Sequence, residues 1–580
     1  MKGTDSSDLW WKTGLVYCVD VESFLDSNGD GVGDLAGLTR RIDYLAELGV
    51  TCLWLMPFYP TPGRDDGYDI TDFYNVDPRL GSLGDLVALL RTAHDRGIRV
   101  IADLVLNHTS DQHPWFQRAE EDPDSPEHDF YVWRDSEPPD TSDLVIFHGE
   151  QKGIWSWSEK AGKWYLHRFY KHQPDLNVSN RRVRNEIAKI MGFWLQLGLD
   201  GFRVDAVPQL LTVGLHDDIE NDGFTDPHGY LGELHAFMRR RSTDAILLGE
   251  VNLPYREQET LFGEPPAVEL DLIFDFVAMQ NLYLSLARGE AGPISAALRT
   301  RPPIDPANQW VTFVRNHDEL ALDQLGEAER EEVFAAFAPE ERQRAYGRGI
   351  RRRLPPMLEG DQQRIRMVYS FMFSLPGTPA LFYGEEIGMG EDIDAEGRQA
   401  VRSPMQWAPG PAGGFSEAEP EDLVAPVVGG DFGPENINAH DAAADSQSLF
   451  NFIRRLVAAR RRCLALGWGS TELLEQPETA VLAHRAALEA NDFVAAVHNF
   501  AAEPVETRVL IPDAAPGDEL EVLVDVGTTD DDSKEPIDEG EHAHRIRKLT
   551  VEDDRRVPVA LGPYGFLWFR PFSLGPGGIF

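Results

Sequence analysis

Short apolar segments alternate with amphipathic segments along most of the chain. The amphipathic segments repeat apolar residues at helical spacing, as between Leu38 and Leu48, which is typical of helices packed on a core. Ser82, with Asp85 three residues later, predicts a capping box at the start of another helix. The apolar segments predict eight strands: Gly14–Phe24, Thr51–Pro57, Ile98–Asn107, Gly201–Val207, Ala245–Val251, Leu270–Phe276, Trp310–His317 and Ala380–Glu385. Eight strands alternating with helices predict a closed (β/α)8 barrel.

The alternation is interrupted once and ends before the C-terminus. About seventy residues rich in Asp, Pro, Trp and His follow Asn107 without a clear helical period, and long insertions after barrel strands commonly build active sites. From about residue 475 onward, alternating strand patterns separated by Pro, Gly and Asp replace the helical ones. We therefore predict an α/β protein with three domains: a catalytic TIM barrel (residues 10–108 and 179–470), an inserted domain (109–178) and a C-terminal antiparallel β-sandwich (471–580).

Composition narrows the range of partners. The formal net charge of −43, from 97 acidic and 54 basic residues, repels nucleic acid and anionic lipid and favours neutral small-molecule substrates. The three cysteines lie far apart, which argues against a disulfide framework or a zinc site. The N-terminus has no apolar signal segment, and no apolar run is long enough to span a membrane. We expect a soluble cytoplasmic protein without nucleic-acid or membrane partners and without an organic cofactor; self-association stays open.

Three acidic residues lie at or just past the C-terminal ends of predicted strands. Asp205 ends Gly-Phe-Arg-Val-Asp, Glu250 ends Leu-Leu-Gly-Glu, and Asp318 ends Arg-Asn-His-Asp. In a barrel these strand ends converge on one mouth. Retaining glycoside cleavage needs one carboxylate to attack the anomeric carbon and a second, about 5–5.5 Å away, to protonate the leaving oxygen. The hypothesis is that Asp205 is the nucleophile, Glu250 the general acid/base, and Asp318 a ligand for sugar hydroxyls.

Basic residues accompany these carboxylates. Arg203 lies two residues before Asp205 on the same strand, so both side chains project from the same face. A guanidinium there keeps Asp205 ionised, whereas Glu250 needs a raised pKa to be protonated near neutrality. His108 and His317 also lie at strand ends and are predicted to donate to hydroxyls or to the developing ring charge. A single such residue is often structural, but together with the carboxylates they favour a catalytic site.

The motifs around these residues resemble those of the α-amylase family, glycoside hydrolase family 13. The matching segments occur in the family's order at residues 103–108 (Asp-Leu-Val-Leu-Asn-His), 201–205 (Gly-Phe-Arg-Val-Asp), 249–252 (Gly-Glu-Val-Asn) and 316–318 (Asn-His-Asp). The resemblance covers roughly residues 10 to 575. It implies a barrel domain A, an inserted domain B and a β-sandwich domain C, as the strand pattern does.

Further segments are similar to those of exo-acting family members. They are Arg64-Asp65-Asp66-Gly67-Tyr68-Asp69-Ile70, His172-Gln173-Pro174-Asp175-Leu176-Asn177 and Val401-Arg402-Ser403-Pro404-Met405-Gln406-Trp407. The similarity implies that Arg402 with Asp69 grips the non-reducing-end glucose of an α-glucoside, with Tyr68 beside them. It therefore implies a closed pocket.

Two metal sites follow from the sequence. The run from Asp26 to Asp34 presents oxygen ligands at alternate positions with glycines between them, which suits a hard cation. The predicted ligands of a structural Ca²⁺ or Mg²⁺ are Asp26, Asn28, Asp30, the carbonyl of Val32, and Asp34; the alternative is a loop of Asx turns. The family resemblance implies a second cation at Asn107 and Asp175. Thr212, however, replaces a Glu ligand expected there.

The nearest likeness within the family is to members that isomerise maltose and trehalose through a β-glucosyl enzyme. This chain departs from them after the nucleophile, with Gln209-Leu210-Leu211-Thr212, after the acid, with Val251-Asn252-Leu253-Pro254, and across Val213–Leu234. These segments lie where acceptor contacts are expected. Isomerisation of maltose is therefore the first hypothesis, and an exo-acting α-glucosidase or maltooligosaccharide hydrolase or transglucosidase is the alternative. A catalytically silent scaffold subunit is the hypothesis of another class.

Overall fold

The central element of the fold is a closed barrel of eight parallel strands. The structure, a computed structural model, describes residues 9–212, 227–265, 267–489, 492–528 and 547–572. The barrel strands are β1 Val16–Val19, β2 Cys52–Leu55, β3 Arg99–Leu104, β4 Gly201–Val204, β5 Ile246–Gly249, β6 Leu272–Phe274, β7 Gln309–Thr312 and β8 Thr378–Phe382. Each pairs with the next along the chain, and β8 closes on β1. The predicted barrel is confirmed, with strands shorter than the apolar segments that predicted them.

Helices surround the barrel and follow the predicted alternation. Ser82 caps its helix with the predicted capping box to Asp85, and Gly49, at φ 97°, ends another. The α-helices are Leu35–Arg40, Ile42–Leu48, Leu83–His94, Pro114–Glu121, Arg181–Leu197, Val207–Thr212, Pro227–Arg239, Tyr255–Thr260, Phe276–Arg288, Gly292–Thr300, Glu327–Phe337, Leu354–Met357, Gln362–Ser374, Ala439–Ala444, Leu449–Arg461 and Ala465–Trp468. Within the described ranges, none of them is both long and apolar enough to cross a bilayer.

Between β3 and β4 the chain makes an excursion with a small sheet of its own. Its three antiparallel strands are Trp133–Arg134, Lys163–Leu166 and Trp155–Ser158, in that spatial order. It also contains the helix Pro114–Glu121, which the sequence pattern did not predict. A second excursion, between β7 and β8, pairs Leu320–Ala321, Gly349–Ile350 and Arg344–Ala345 in one antiparallel sheet; the short strands Gly263–Glu264 and Ala267–Val268 form a hairpin.

The C-terminal part is an antiparallel sheet, as predicted. Its seven strands within the described ranges are Ser470–Leu473, Val481–Glu489, Asp492–Asn499, Val505–Leu510, Glu519–Thr528, Lys548–Thr550 and Arg556–Pro571. The long last strand pairs with Val505–Leu510 along its first half and with two other strands along its second half. The sheet has its own apolar core around Phe493, Val497 and Phe569. The limits of the three domains stay a prediction.

The barrel core is continuous with the helices that surround it. The buried charged groups Asp103, Arg203 and Asp205 lie at or near the C-terminal ends of its strands. Trp54, Ile101 and Leu247 are among the fully buried members of the core. Cys18, Cys52 and Cys463 are buried and unpaired. The polar mouth of the barrel is therefore the place where the predicted site residues meet.

Candidate active site

Arg203 holds the two predicted catalytic carboxyl groups together. One terminal nitrogen of its guanidinium lies 2.6 Å from Asp205 Oδ1 and the other 2.8 Å from Glu250 Oε2. The guanidinium side chain is almost fully buried, and its first nitrogen also contacts Asp103. Two carboxylates on one planar guanidinium lie close together, which is the arrangement that retaining glycosidases need.

Local backbone geometry fixes this arrangement. Gly201 starts β4 at φ 146°, and a Cβ there would lie 2.3 Å from the carbonyl oxygen of Ile246, so only glycine allows β4 and β5 to pair so closely. Ala206 follows the nucleophile candidate at φ 47°, a left-handed conformation unusual for alanine. Its N–H donates to Glu250 Oε2 at 3.2 Å. Both unusual residues thus bring the ends of β4 and β5 together.

Burial and neighbouring charges separate the protonation states of the carboxyl groups. Burial raises the pKa of Glu250 to about 7; Arg203 opposes the rise, and Asp205 and Asp318 add to it. Burial also raises the pKa of Asp205, against the opposing charges of Arg203 and Arg398. For Asp318, burial is outweighed by Arg398, His317, Arg402 and Arg203, which hold its pKa well below the usual range. Asp318 is therefore ionised, and Glu250 is half protonated near neutrality.

The activity of the enzyme should consequently fall as the pH rises through about 7. Glu250 must carry a proton to act as the acid, so kcat/KM should lose about tenfold per pH unit above its pKa. A pH profile of kcat/KM for an α-glucoside measures this decrease. An α-glucosyl fluoride, whose leaving group needs no proton, is the control, and its kcat/KM should not show this decrease. A profile flat from about pH 6 to 9 would contradict the assignment.

Tyr68, His317 and Asp103 form the buried wall beneath the carboxylates. The Tyr68 hydroxyl lies 2.7 Å from His317 Nε2, and the two rings are stacked at 5.8 Å. Asp103 Oδ2 accepts from Trp54 Nε1 at 2.7 Å and from the Tyr68 hydroxyl at 3.4 Å. Burial keeps the pKa of His317 well below 6.5, so this ring is a neutral hydrogen-bonding group.

His108 lies nearby but behind this wall. Its Nε2 lies 3.2 Å from the carbonyl oxygen of Tyr68, and its ring packs at 5.1 Å from that of Phe169. Burial lowers its pKa to about 4. Among the described residues its Nδ1 is buried without a hydrogen-bond partner, and its contact with sugar hydroxyls stays a prediction.

Arg402, which the family resemblance places with Asp69 at the terminal glucose, lies beside two other aspartates. Arg402 contacts the carboxylate of Asp66 and lies 3.1 Å from Asp318 Oδ1. Asp69 is completely buried, and its carboxylate accepts from the Thr61 hydroxyl at 2.7 Å and from the backbone N–H of Asp65 at 3.2 Å. The carboxylate that contacts Arg402 is thus that of Asp66, and the role of Asp69 in binding the terminal glucose stays a prediction. Asp66 makes this contact because its left-handed backbone, at φ 50°, turns its side chain toward Arg402.

Arg398 is a second residue that the sequence pattern did not identify. Its guanidinium lies 3.0 Å from Asp318 Oδ1 and 2.8 Å from Glu319 Oε2. The carboxylate of Asp318 thus meets Arg398 and Arg402 together. The short 3-10 helix Gly397–Val401 spaces these two arginines on one side of the site. No local sequence signal marks Arg398, since its partners lie about eighty residues away.

A cavity of about 250 Å³ opens over these groups. It is lined by Glu250 and Asp318 from the barrel and by Ile146 and Phe169 from the excursion between β3 and β4. Asn252, Asp323 and Arg348 line its outer part; residues 213–226, also expected on this side, lie outside the described residues. A larger hollow of about 1000 Å³ lies in the C-terminal sheet, but none of the predicted site residues lines it. The smaller cavity is therefore the candidate substrate pocket.

The loop Asp26–Asp34 is folded by its own carboxylates. Asp26 accepts backbone N–H bonds from Asn28, Gly29 and Gly31 at 2.7–2.9 Å, and Asp34 accepts one from Ser27 at 2.9 Å. The donor set consists of oxygens, as a hard cation prefers. In the part of the chain that the structure describes, no three His, Cys, Asp or Glu side chains converge as a metal-binding group. The calcium site stays a prediction.

Comparison with known proteins agrees with this fold. The family model for the α-amylase catalytic domain matches residues 19–332 and 351–469. The chain therefore belongs to the α-amylase family, and it is an enzyme of the glycoside hydrolase and transferase class.

Relatives within the family fall into two groups. The chain is 42% identical over 485 residues to the trehalose synthase/amylase of Mycolicibacterium smegmatis, covering 82% of this chain and 80% of that protein. It is 32% identical over 516 residues to the glucan 1,6-α-glucosidase of Streptococcus pneumoniae, covering 81% and 87%. Among solved structures, the α-amylase of H. orenii is similar with a TM-score of 0.73 at 25% identity, covering 97% of this chain and 100% of that one.

Proposed function

We propose that the protein isomerises maltose and trehalose by retaining glucosyl transfer. One observation supports this most directly: Arg203 binds both Asp205 and Glu250, and a cavity of about 250 Å³ lined by Glu250 and Asp318 lies beside them. The relatives named trehalose synthase, at about 40% identity over most of the chain, favour the same substrate pair.

The side chains define the steps of the reaction. Asp205 attacks the anomeric carbon while Glu250 protonates the departing oxygen, which gives a β-glucosyl enzyme and free glucose. Asp318, ionised between two arginines, binds hydroxyls of the glucosyl ring. If the released glucose stays and attacks through its anomeric hydroxyl, Glu250 takes the proton and the product is trehalose.

Water competes with the retained glucose for the same intermediate. A tenfold difference between the two outcomes corresponds to only about 1.4 kcal/mol of barrier. The alternative function, hydrolysis of α-glucosides from the non-reducing end, uses the same residues and is favoured by the α-glucosidase relatives.

Incubation of the purified protein with maltose, followed by separation of the sugars, tests the proposal. Trehalose with little glucose supports the isomerase. Glucose without trehalose contradicts it and leaves the hydrolase. No turnover by a folded protein leaves the scaffold hypothesis.

An aromatic clasp beside the pocket limits access of water in this proposal. We define the clasp as Phe147 and Tyr170 from the excursion after β3 and Tyr346 from the excursion after β7. Phe147 stacks on Tyr170 at 4.4 Å and lies 4.9 Å from Tyr346, and the two tyrosine hydroxyls are 3.2 Å apart. Arg398, which binds Asp318, lies 4.9 Å from the Phe147 ring. The two excursions are thus joined directly over the sugar-binding carboxylate.

Opening the clasp should shift the products from trehalose toward glucose. Tyr346→Ala removes the ring that joins the excursions, so we expect the ratio of glucose to trehalose formed from maltose to rise about tenfold. Tyr346→Phe keeps the ring and loses only the hydroxyl contact, and it should change the ratio much less. The ratio is measured by chromatography at early conversion. An unchanged ratio in the alanine variant would mean that the clasp does not control water.

We further propose that the loop Asp26–Asp34 binds Ca²⁺ as a structural ion. Ligand binding to the folded state alone stabilises it by about 2.7 kcal/mol at a hundredfold excess over Kd. Calcium should therefore raise Tm by several degrees relative to chelator. Asp30 is exposed, and its carboxylate accepts the Val32 N–H at 3.0 Å. Asp30→Ala should therefore abolish the calcium response while leaving Tm in chelator nearly unchanged. An equal response in both proteins would disprove this site.

A further inference from the structure

Arg168 links the excursion after β3 to the helix that follows Asp205. Its guanidinium donates to the carbonyl oxygen of Gln209, on the helix Val207–Thr212. Its Nε lies 3.9 Å from Asp175 Oδ2. The side chain is 9% exposed, so this cation is held in a nearly water-free place between two parts of the fold.

Asp175, beside Arg168, is one of the two residues of the second implied metal site, and it is hydrogen-bonded to the other, Asn107. Asn107 Nδ2 and the backbone N–H of Arg168 both donate to Asp175 Oδ1 at 3.1 Å. Within the part of the chain that the structure describes, Asp175 Oδ2 and Asn107 Oδ1 are buried without a hydrogen-bond partner. Uncommitted oxygens in a buried place are costly unless a cation compensates them.

A divalent ion and the guanidinium would compete for these oxygens. The positive charge of Arg168 is already beside Asp175 and already binds the Gln209 carbonyl. A Ca²⁺ ion needs six to eight oxygen ligands, and a guanidinium within reach of the same carboxylate and carbonyl repels it. The residues present therefore do not fit a calcium ion while Arg168 keeps this conformation.

We propose that Arg168 takes the place of the second metal ion in this chain. The guanidinium supplies the charge that neutralises Asp175 and connects the excursion to the segment carrying the nucleophile. The contact between the excursion and the segment that carries Asp205 then does not depend on the metal concentration.

Arg168→Ala in the full-length protein tests the proposal. Removing the guanidinium frees the Asp175 and Gln209 oxygens, so the variant should bind one more Ca²⁺ per chain than the parent in equilibrium dialysis. Its Tm should fall by several degrees in chelator and recover with calcium. Arg168→Lys keeps a cation and should gain no ion. Arg168→Ala combined with Asp175→Asn should lose the additional ion again.

A second measurement does not depend on folding of the alanine variant. In Asp30→Ala, which removes a ligand of the first loop, dialysis should detect no bound Ca²⁺ because Arg168 is intact. Ca²⁺ that binds to the Asp30→Ala protein and is lost when Asp175→Asn is added would overturn the proposal. So would an Arg168→Ala protein that keeps its parental Tm and ion count. Arg168→Gln, closer in size, gives the same comparison if the alanine variant does not fold.

Discussion

Replacing Glu250 by Gln is expected to lower kcat for maltose by about 10³-fold, or about 4 kcal/mol of barrier. The glucose leaving group is a poor one, and it departs only if Glu250 protonates its oxygen. Glutamine matches glutamate in size and can still accept the Ala206 N–H that now lies 3.2 Å from Oε2. The substitution therefore removes the proton donor while leaving the end of β5 in place.

An α-glucosyl fluoride separates this role from a structural one. Fluoride leaves without a proton, so Glu250→Gln should form the glucosyl enzyme from it at a rate close to that of the parent protein. Thermal unfolding should show a similar Tm for both proteins. An equal loss on both substrates would mean that Glu250 positions groups rather than donating the proton, and unchanged turnover of maltose would remove it from the site.

The barrel and its catalytic end were predictable from the sequence because local patterns determine them. Every one of the eight strands falls within or overlaps an apolar segment between helical ones. Parallel strands place all their C-terminal ends at one mouth. It follows that Asp205 and Glu250, each one residue past its strand, must lie near each other. Their shared contact with Arg203 then depends on the two-residue spacing within β4.

Residues whose role depends on contacts with distant parts of the chain could not be predicted in this way. Three aspartates, Asp65, Asp66 and Asp69, lie within five positions, and spacing does not reveal which one contacts Arg402. The choice depends on the left-handed backbone of Asp66 and on Arg402, 336 residues away. Arg398 is similar, because its partners belong to another strand end.

The contact between Asp66 and Arg402 leads to the second large expected effect. Asp66→Ala should lower kcat/KM for maltose by about 10²- to 10³-fold, since hydrogen bonds to charged groups contribute about 1.5–3 kcal/mol each. The variant removes a carboxylate and leaves Arg402 free to pair more strongly with Asp318. Both changes weaken the grip on the terminal glucose.

Asp69→Asn is the matched comparison, because the two aspartates lie three residues apart but have different surroundings. Asp69 is completely buried, and its carboxylate accepts hydrogen bonds from the Thr61 hydroxyl and from the Asp65 N–H. Its substitution should lower Tm by several degrees and change kcat/KM by less than about tenfold. Steady-state kinetics with thermal unfolding measure both effects. If Asp69→Asn lost the activity and Asp66→Ala kept it, the glucose grip would belong to Asp69 after all. The expected pattern instead places it at the Asp66–Arg402 pair, where a carboxylate and a guanidinium meet beside Asp318.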